Sequence, residues 1–426
     1  MARRWLSERL SKLRYDVMKI VGLETIHSPR FSNLVWVRIS TDEGITGLGE
    51  TFRNPGPVIA YIHETCAPYL LGRDPRPVAL HADALLHRVG NHFQGYPTRS
   101  VEIRGNSAVD MALWDIKAQA AGLSVTELLG GPVRASIPIY NTCAGPAYNT
   151  KADSSARARL VRAGDPAMLE GDTPDDLAAQ INAPGELAQS LLAEGITAMK
   201  IWPFDEAALE TGGQRITAAR LSEALARIAA IRDAVGDQID IMLEYHAYWK
   251  FAPAKRILAE VDAYKPFWHE DPISMTEIAD LAELRRMSGA PFAGSETHGT
   301  ATWFRDALAL RAVDYLHFDM GWVGGLSEGL RIAHLAASHD RMIAPHDCTG
   351  PVTWIANLHL ALSQPNALIL ESVRAYYRGF YRELVTDLPV IEHGVAQALP
   401  GIGLGTQLAP QLLDDPTTQL RRTSMI

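Results

Sequence analysis

The spacing of apolar positions changes near residue 135, and the change divides the chain into two kinds of architecture. From about residue 15 to 53, the runs YDVMKIVGLET and LVWVRISTDEGITGLGE alternate apolar and polar residues, the period of strands half-buried in an antiparallel sheet. Asp42, Glu43 and Gly44 supply hairpin-turn chemistry between two such strands. Residues 58–71, 78–89 and the run SAVDMALWDIKAQAAGL have helical spacing instead, and the last closes at Gly122. Residues 1–135 therefore predict an α+β domain, with 1–14 as a frayed leader.

From Ser136 onward, short apolar runs alternate with amphipathic stretches, the order of parallel strands joined by crossover helices. The strand candidates are SIPIYNT, ITAMKIW, QIDIMLE, KPFWHE, APFAGSE, VDYLHFD, RMIAPH and NALILE, all but the last followed by a helix-like segment. This count predicts an α/β architecture, a closed (β/α)8-type barrel over 136–383. The residues ending the later strands, Glu244, Glu270, Glu296, Asp319, His346 and Glu371, recur at intervals of roughly 25 residues, about the length of one strand, one helix and two loops. Two excursions, 143–185 and 203–220, follow strand ends and so belong on the functional rim. The first reads as a lid or a solvated insertion, the second as a solvated insertion. The tail 384–426, with its Gly-punctuated LPGIGLGTQL, is expected to pack back on the first domain.

A length of 426 residues exceeds what one ordinary core supports, which suits a large barrel with an attached domain. Hydrophobic residues at 47% and charged residues at 21% give the balance of a soluble globular protein, and no run reaches the ~18 consecutive apolar residues of a membrane helix. A net charge of -9 offers no basic face for nucleic acid, so an acidic substrate would need locally supplied positive charge. Cys66, Cys143 and Cys348 are odd in number and widely spaced, which indicates neither a disulfide framework nor a thiolate zinc site; a reducing cytoplasm fits best. The basic opening MARRWLSERLSKLRYD has no uninterrupted apolar core, and Glu8 and Asp16 break its positive run, so it does not read as a targeting peptide.

Side chains at i and i+2 of a strand share a face, so Met242, Glu244 and His246 are expected to point together, as are Trp268 with Glu270, Gly294 with Glu296, and Ala344 with His346. Each apolar or small residue would then lie one layer below a polar one, as in a packed barrel with a functional C-terminal mouth. Glutamates ending three adjacent strands repel one another unless a cation sits between them. Mg²⁺, hard and oxygen-seeking, resolves the repulsion, and Mn²⁺ suits the same ligands.

The ordered set DEGITGLGE, SAVDMALWDIKAQAAGLSVTELLGG, FWHEDPI, FAGSE, FDMGWVGGLSE and APHDCTGP spans most of the chain. By it the sequence resembles the enolase superfamily, in the mandelate racemase and acid-sugar dehydratase branch that includes galactonate and mannonate dehydratases. The resemblance implies a modified TIM barrel with an N-terminal α+β capping domain completed by the C-terminal tail. It also implies homo-oligomers, and a metal-dependent removal of the proton next to a carboxylate to form an enediolate.

By resemblance Glu244, Glu270 and Glu296 are the metal ligands, with Glu244 in place of the commoner aspartate. His346 is the general base, and Asp319 holds its other ring nitrogen and fixes the tautomer. Glu371 resembles the acidic group facing the metal across the substrate carboxylate, where in protonated form it would donate to the oxyanion; partnership with Arg374 is the structural alternative. Lys200 matches the first lysine of a K-x-K pair. The second position is Trp202, so the lysine base of a two-base racemase is missing. His246 resembles the histidine that related dehydratases use as general acid on the leaving hydroxyl, with a satisfied rim histidine as the alternative.

The activity so implied is Mg²⁺-dependent dehydration of a sugar acid to a 2-keto-3-deoxy acid. An epimerase or cycloisomerase shares the proton abstraction, and a silent carboxylate-binding or assembly barrel is the alternative from another class. His269 and Asp271 are expected to face outward, and His317 to be a hydrogen-bonded core residue. Loops near His27–Asn33 and Arg53–Gly56 would meet the substrate, where Arg30 and Arg53 could read a second carboxylate or a hydroxyl.

Overall fold

The computed structural model describes residues 17–87, 89, 100–151 and 173–425; the leader 1–14 and residues 152–172 of the first excursion lie outside them. Strands β1 (Ile20–His27), β2 (Leu34–Thr41) and β3 (Thr46–Phe52) form an antiparallel sheet whose second hairpin turns at Asp42–Gly44. The helix Val101–Ala121 lies across this sheet, its Val109, Leu113 and Ile116 in one apolar cluster with Val37 and Ile39 of β2 and with Ile62. The approach is close enough to require glycine: a Cβ on Gly49 would stand 1.8 Å from the Ala108 carbonyl oxygen, and one on Gly47 2.0 Å from that of Ala112.

The eight expected apolar runs each hold a strand, the last overrunning its run by one residue: β4 (Ser136–Thr142), β5 (Ala198–Ile201), β6 (Asp240–Glu244), β7 (Trp268–Glu270), β8 (Phe292–Gly294), β9 (Tyr315–Leu316), β10 (Met342–Ile343) and β11 (Leu370–Ser372). From β4 to β10 each pairs in parallel with the next. The Ile343 N–H donates to the Asn366 carbonyl and the Leu368 N–H to the Ile343 carbonyl, both at 2.9 Å, and β11 pairs in parallel with β4. These bonds close the ring into a barrel. Inside it, Tyr140, Ala198, Met242, Trp268, Ala293 and Ala344 pack as one layer beneath the polar mouth.

Alternation fails at β8, where Ala293 faces inward and a Cβ on Gly294 would meet Met275 and Val313 outside the ring. The strand ends at Gly294, so Glu296 reaches the mouth from irregular backbone and not by strand period.

The hairpin of β12 (Ile391–Glu392) and β13 (Val395–Gln397) pairs with the start of β4, and β14 (Gln419–Ser424) pairs antiparallel with β1. Between them the Leu404 N–H donates to Asp115 and the Gly403 N–H to the Leu123 carbonyl, so the glycine-rich stretch lies along the long helix. Among the described residues, no helix is long and apolar enough to cross a membrane.

Candidate active site

Carboxylate oxygens of Glu244, Glu270 and Glu296 lie within 4.8 Å of one another at the barrel mouth. Glu244 Oε1 accepts the N–H groups of Tyr245 and His246, whereas Oε2 is buried and accepts no hydrogen bond from any described residue. Burial and the adjacent Glu270 carboxylate hold Glu244 well above the usual carboxylate range. Burial also opposes ionisation of Glu270, but the His317 ring and the Lys200 ammonium outweigh it and keep its pKa low. A buried oxygen without a donor, in an all-oxygen set, fits a hard divalent cation.

Glu296, His317 and His346 form a second compact group. There, however, both imidazole Nε2 atoms already face carboxylates, His317 at 3.0 Å from Glu270 and His346 at 2.5 Å from Glu296. Buried Nε2 of His317 and Oε2 of Glu244 both lack a hydrogen-bond partner among the described residues, but the glutamate set is the one made of oxygens alone.

His346 Nδ1 lies 2.7 Å from Asp319 Oδ2. Asp319 is itself fixed by the Thr349 hydroxyl at 2.6 Å and the Gly321 N–H at 2.7 Å. This arrangement leaves Nε2 as the working atom of the ring. Burial alone would lower the His346 pKa, but the Glu296 and Glu371 carboxylates and the Asp319 contact hold it well above its ordinary value.

Lys200 lies in the floor, 2.7 Å from Glu270 and 2.9 Å from Glu371. Burial would discharge the ammonium, but these carboxylates outweigh it and keep the pKa high. Glu371 also accepts from the Tyr140 hydroxyl at 2.8 Å, the Asp347 N–H at 3.1 Å and the Thr142 hydroxyl. Its carboxylate is fully buried among these donors. Arg374, its alternative partner, pairs instead with Asp176 and Glu194. His317 departs from a plain core role, since its ring bridges the Ala344 carbonyl at 2.6 Å and the Glu270 carboxylate.

His246 reaches the same pocket by another route. It lies beyond the end of β6, where His246 and Ala247 both have positive φ, 49° and 56°, so the strand alternation expected to aim it does not apply. Its ring stands edge-on to Trp202 with centroids 5.7 Å apart, its Nε2 is 3.4 Å from the Tyr148 hydroxyl, and its Nδ1 is 2.8 Å from Asp205. Asp205 opens the helix Asp205–Thr211, so the 203–220 excursion contributes to the site and is not a merely solvated insertion.

Phe52, Arg53, Tyr148, Asn149 and Cys348 complete the wall, with the Arg53 guanidinium over the rings of Phe52 and Trp322. Arg30 is drawn away to Glu383. His298 packs on Trp303 and lies 3.3 Å from the Ser295 hydroxyl. His269 lies outside the ring against Tyr245 and Asp262, and Asp271 accepts from the Ser295 hydroxyl. Thr142 was findable as the end of the first strand; nothing in the sequence pairs Asp205 with His246.

Residues 20–130 match the family described as Mandelate racemase / muconate lactonizing enzyme, N-terminal domain, and residues 184–412 match Enolase C-terminal domain-like. The chain belongs to the enolase superfamily. Within it, a D-galactonate dehydratase of Xanthomonas campestris pv. campestris is 27% identical over 93% of this chain and 94% of its own length. A D-gluconate dehydratase of Thermoproteus tenax is 26% identical over 96% of this chain and 75% of its own. A crystal structure of an enolase of the mandelate racemase subgroup from Agrobacterium tumefaciens is 42% identical, with a TM-score of 0.83, covering 95% of this chain and 99% of that one. Enolase superfamily enzymes use a divalent metal, for which the three glutamates supply an oxygen donor set.

Proposed function

We propose that this enzyme is a Mg²⁺-dependent hydro-lyase that dehydrates an aldonate or aldarate to a 2-keto-3-deoxy acid. The dehydratase relatives support the reaction class. The observation that carries it to this chain is the pair of histidines on one pocket, His346 and His246, with Trp202 where a second lysine base would be needed for racemisation.

Bound at Glu244, Glu270 and Glu296, the divalent ion would supply positive charge to the substrate carboxylate. Lys200, fixed on the floor by Glu270 and Glu371, presents a cation to the same group. His346 Nε2 takes the α-proton, and Asp319 holds the ring in the tautomer that makes this possible. The enediolate then expels the β-hydroxyl, protonated by His246 Nε2. Trp202, Tyr148 and Phe52 exclude water from the pocket.

Incubating the enzyme with a library of aldonates and aldarates, with and without Mg²⁺, should give a keto acid from at least one substrate, and only with metal. No keto acid from any member, while another carboxylic acid racemises, would overturn the reading.

A further inference from the structure

We propose that Asp205 is the positioning residue of His246, so that a second carboxylate–histidine pair, built from the 203–220 excursion, serves the leaving-group side of the pocket. The inference rests on the role given to His246 above. Asp205 Oδ2 lies 2.8 Å from His246 Nδ1, off the ideal hydrogen-bond line, and is that nitrogen's one polar contact among the described residues. Asp205 is 4% exposed, and its Oδ1 is buried with no hydrogen bond from a described residue. A buried, unsatisfied carboxylate is costly unless something nearby uses its charge, and the His246 ring is the group in reach.

The same excursion grips the His246 loop at two further points. Phe204 stacks on Tyr245 with rings 5.6 Å apart and 12° from parallel. The Lys250 N–H donates to the Gly213 carbonyl at 2.9 Å, and Gly213 fits so closely that a Cβ there would stand 1.8 Å from the Tyr248 carbonyl oxygen. Trp202 and Tyr248 flank the ring, with centroids 5.7 and 5.6 Å away. With Nδ1 committed to Asp205, Nε2 is the ring atom left to face the substrate. Asp205 thus does for His246 what Asp319 does for His346, and the two pairs assign the two proton transfers to different histidines.

Ring ¹⁵N spectra of the full-length Mg²⁺-loaded enzyme, with His246→Gln to assign the signal, test this directly. In the wild type Nδ1 should carry a proton turned to Asp205 while Nε2 holds the proton that the leaving hydroxyl takes, and Asp205→Asn, which can present an amide N–H to Nδ1, should leave that atom without its proton. Asp205→Glu should keep the proton on Nδ1, which guards against a misfolded asparagine variant. An unchanged His246 ring in Asp205→Asn overturns the proposal. Given a substrate, Asp205→Asn should lower kcat for keto acid formation by about 10²- to 10⁴-fold with KM little changed, while exchange of the α-proton with D₂O persists. Parallel loss of exchange and elimination would mark a general structural role and also overturns it. A wild type inactive toward every sugar acid would sink only the dehydratase reading, because the ring spectrum still decides on Asp205.

Discussion

The two ring nitrogens of His346 both rest on carboxylates, Asp319 on one side and Glu296 on the other. Such a ring is oriented before substrate arrives, and Nε2 must part from Glu296 and give up its own proton before it can act as the base. Asp319→Asn should reverse the tautomer and lower kcat about 10²- to 10⁴-fold with KM little changed, as steady-state kinetics would read; an equal loss in substrate affinity would contradict it. Glu244, Glu270, Asp319 and His346 were legible because each ends a short apolar run. His317 was half legible: its place two before Asp319 predicted burial, but its contact with Glu270 depends on a polar residue lying where an apolar layer was expected. Asp205 was not legible, because its contact follows from a left-handed turn at His246 and Ala247 that alternating strand geometry does not foresee.

Among the elements, the loop after β6 is held closely by the 203–220 excursion. Gly213 has φ 70° and touches the Tyr248 backbone. Gly213→Ala should therefore cost at least ~1–3 kcal/mol of stability and lower elimination more than α-proton exchange. Urea denaturation with both assays on one preparation would check it, and an unchanged midpoint would show that the contact is slack. The strands themselves were readable because apolar period and turn residues agree along the barrel. The mouth of β8 was not, since Glu296 lies beyond Gly294, where alternation has stopped.

Across the whole molecule, the capping sheet is joined to the barrel through the helix that follows His346. Glu50 on β3 accepts the Trp36 indole N–H at 2.7 Å and the Thr353 N–H at 2.9 Å, at the start of the helix Pro351–Ser363. Burial pushes Glu50 up to about 7 from an ordinary 4.5. The folded state therefore binds this proton more tightly than the unfolded one. The resulting stability is full below about pH 4.5 and is lost as pH rises to about 7, an effect on the order of 3 kcal/mol. Relative to Glu50→Gln, which does not titrate, the wild type should lose that amount across this window in urea denaturation; parallel pH profiles would contradict it. Mg²⁺ at a hundred times its Kd should stabilise the fold by about 2.7 kcal/mol, and Glu244→Gln should lose most of that gain in thermal unfolding. The central claim, that His346 starts a dehydration, is tested most directly by following the α-proton of a sugar acid in D₂O with wild type and His346→Asn. The wild type should exchange deuterium and form keto acid, and the variant should do neither. Exchange that survives His346→Asn, or exchange with inversion and no keto acid in the wild type, would contradict it.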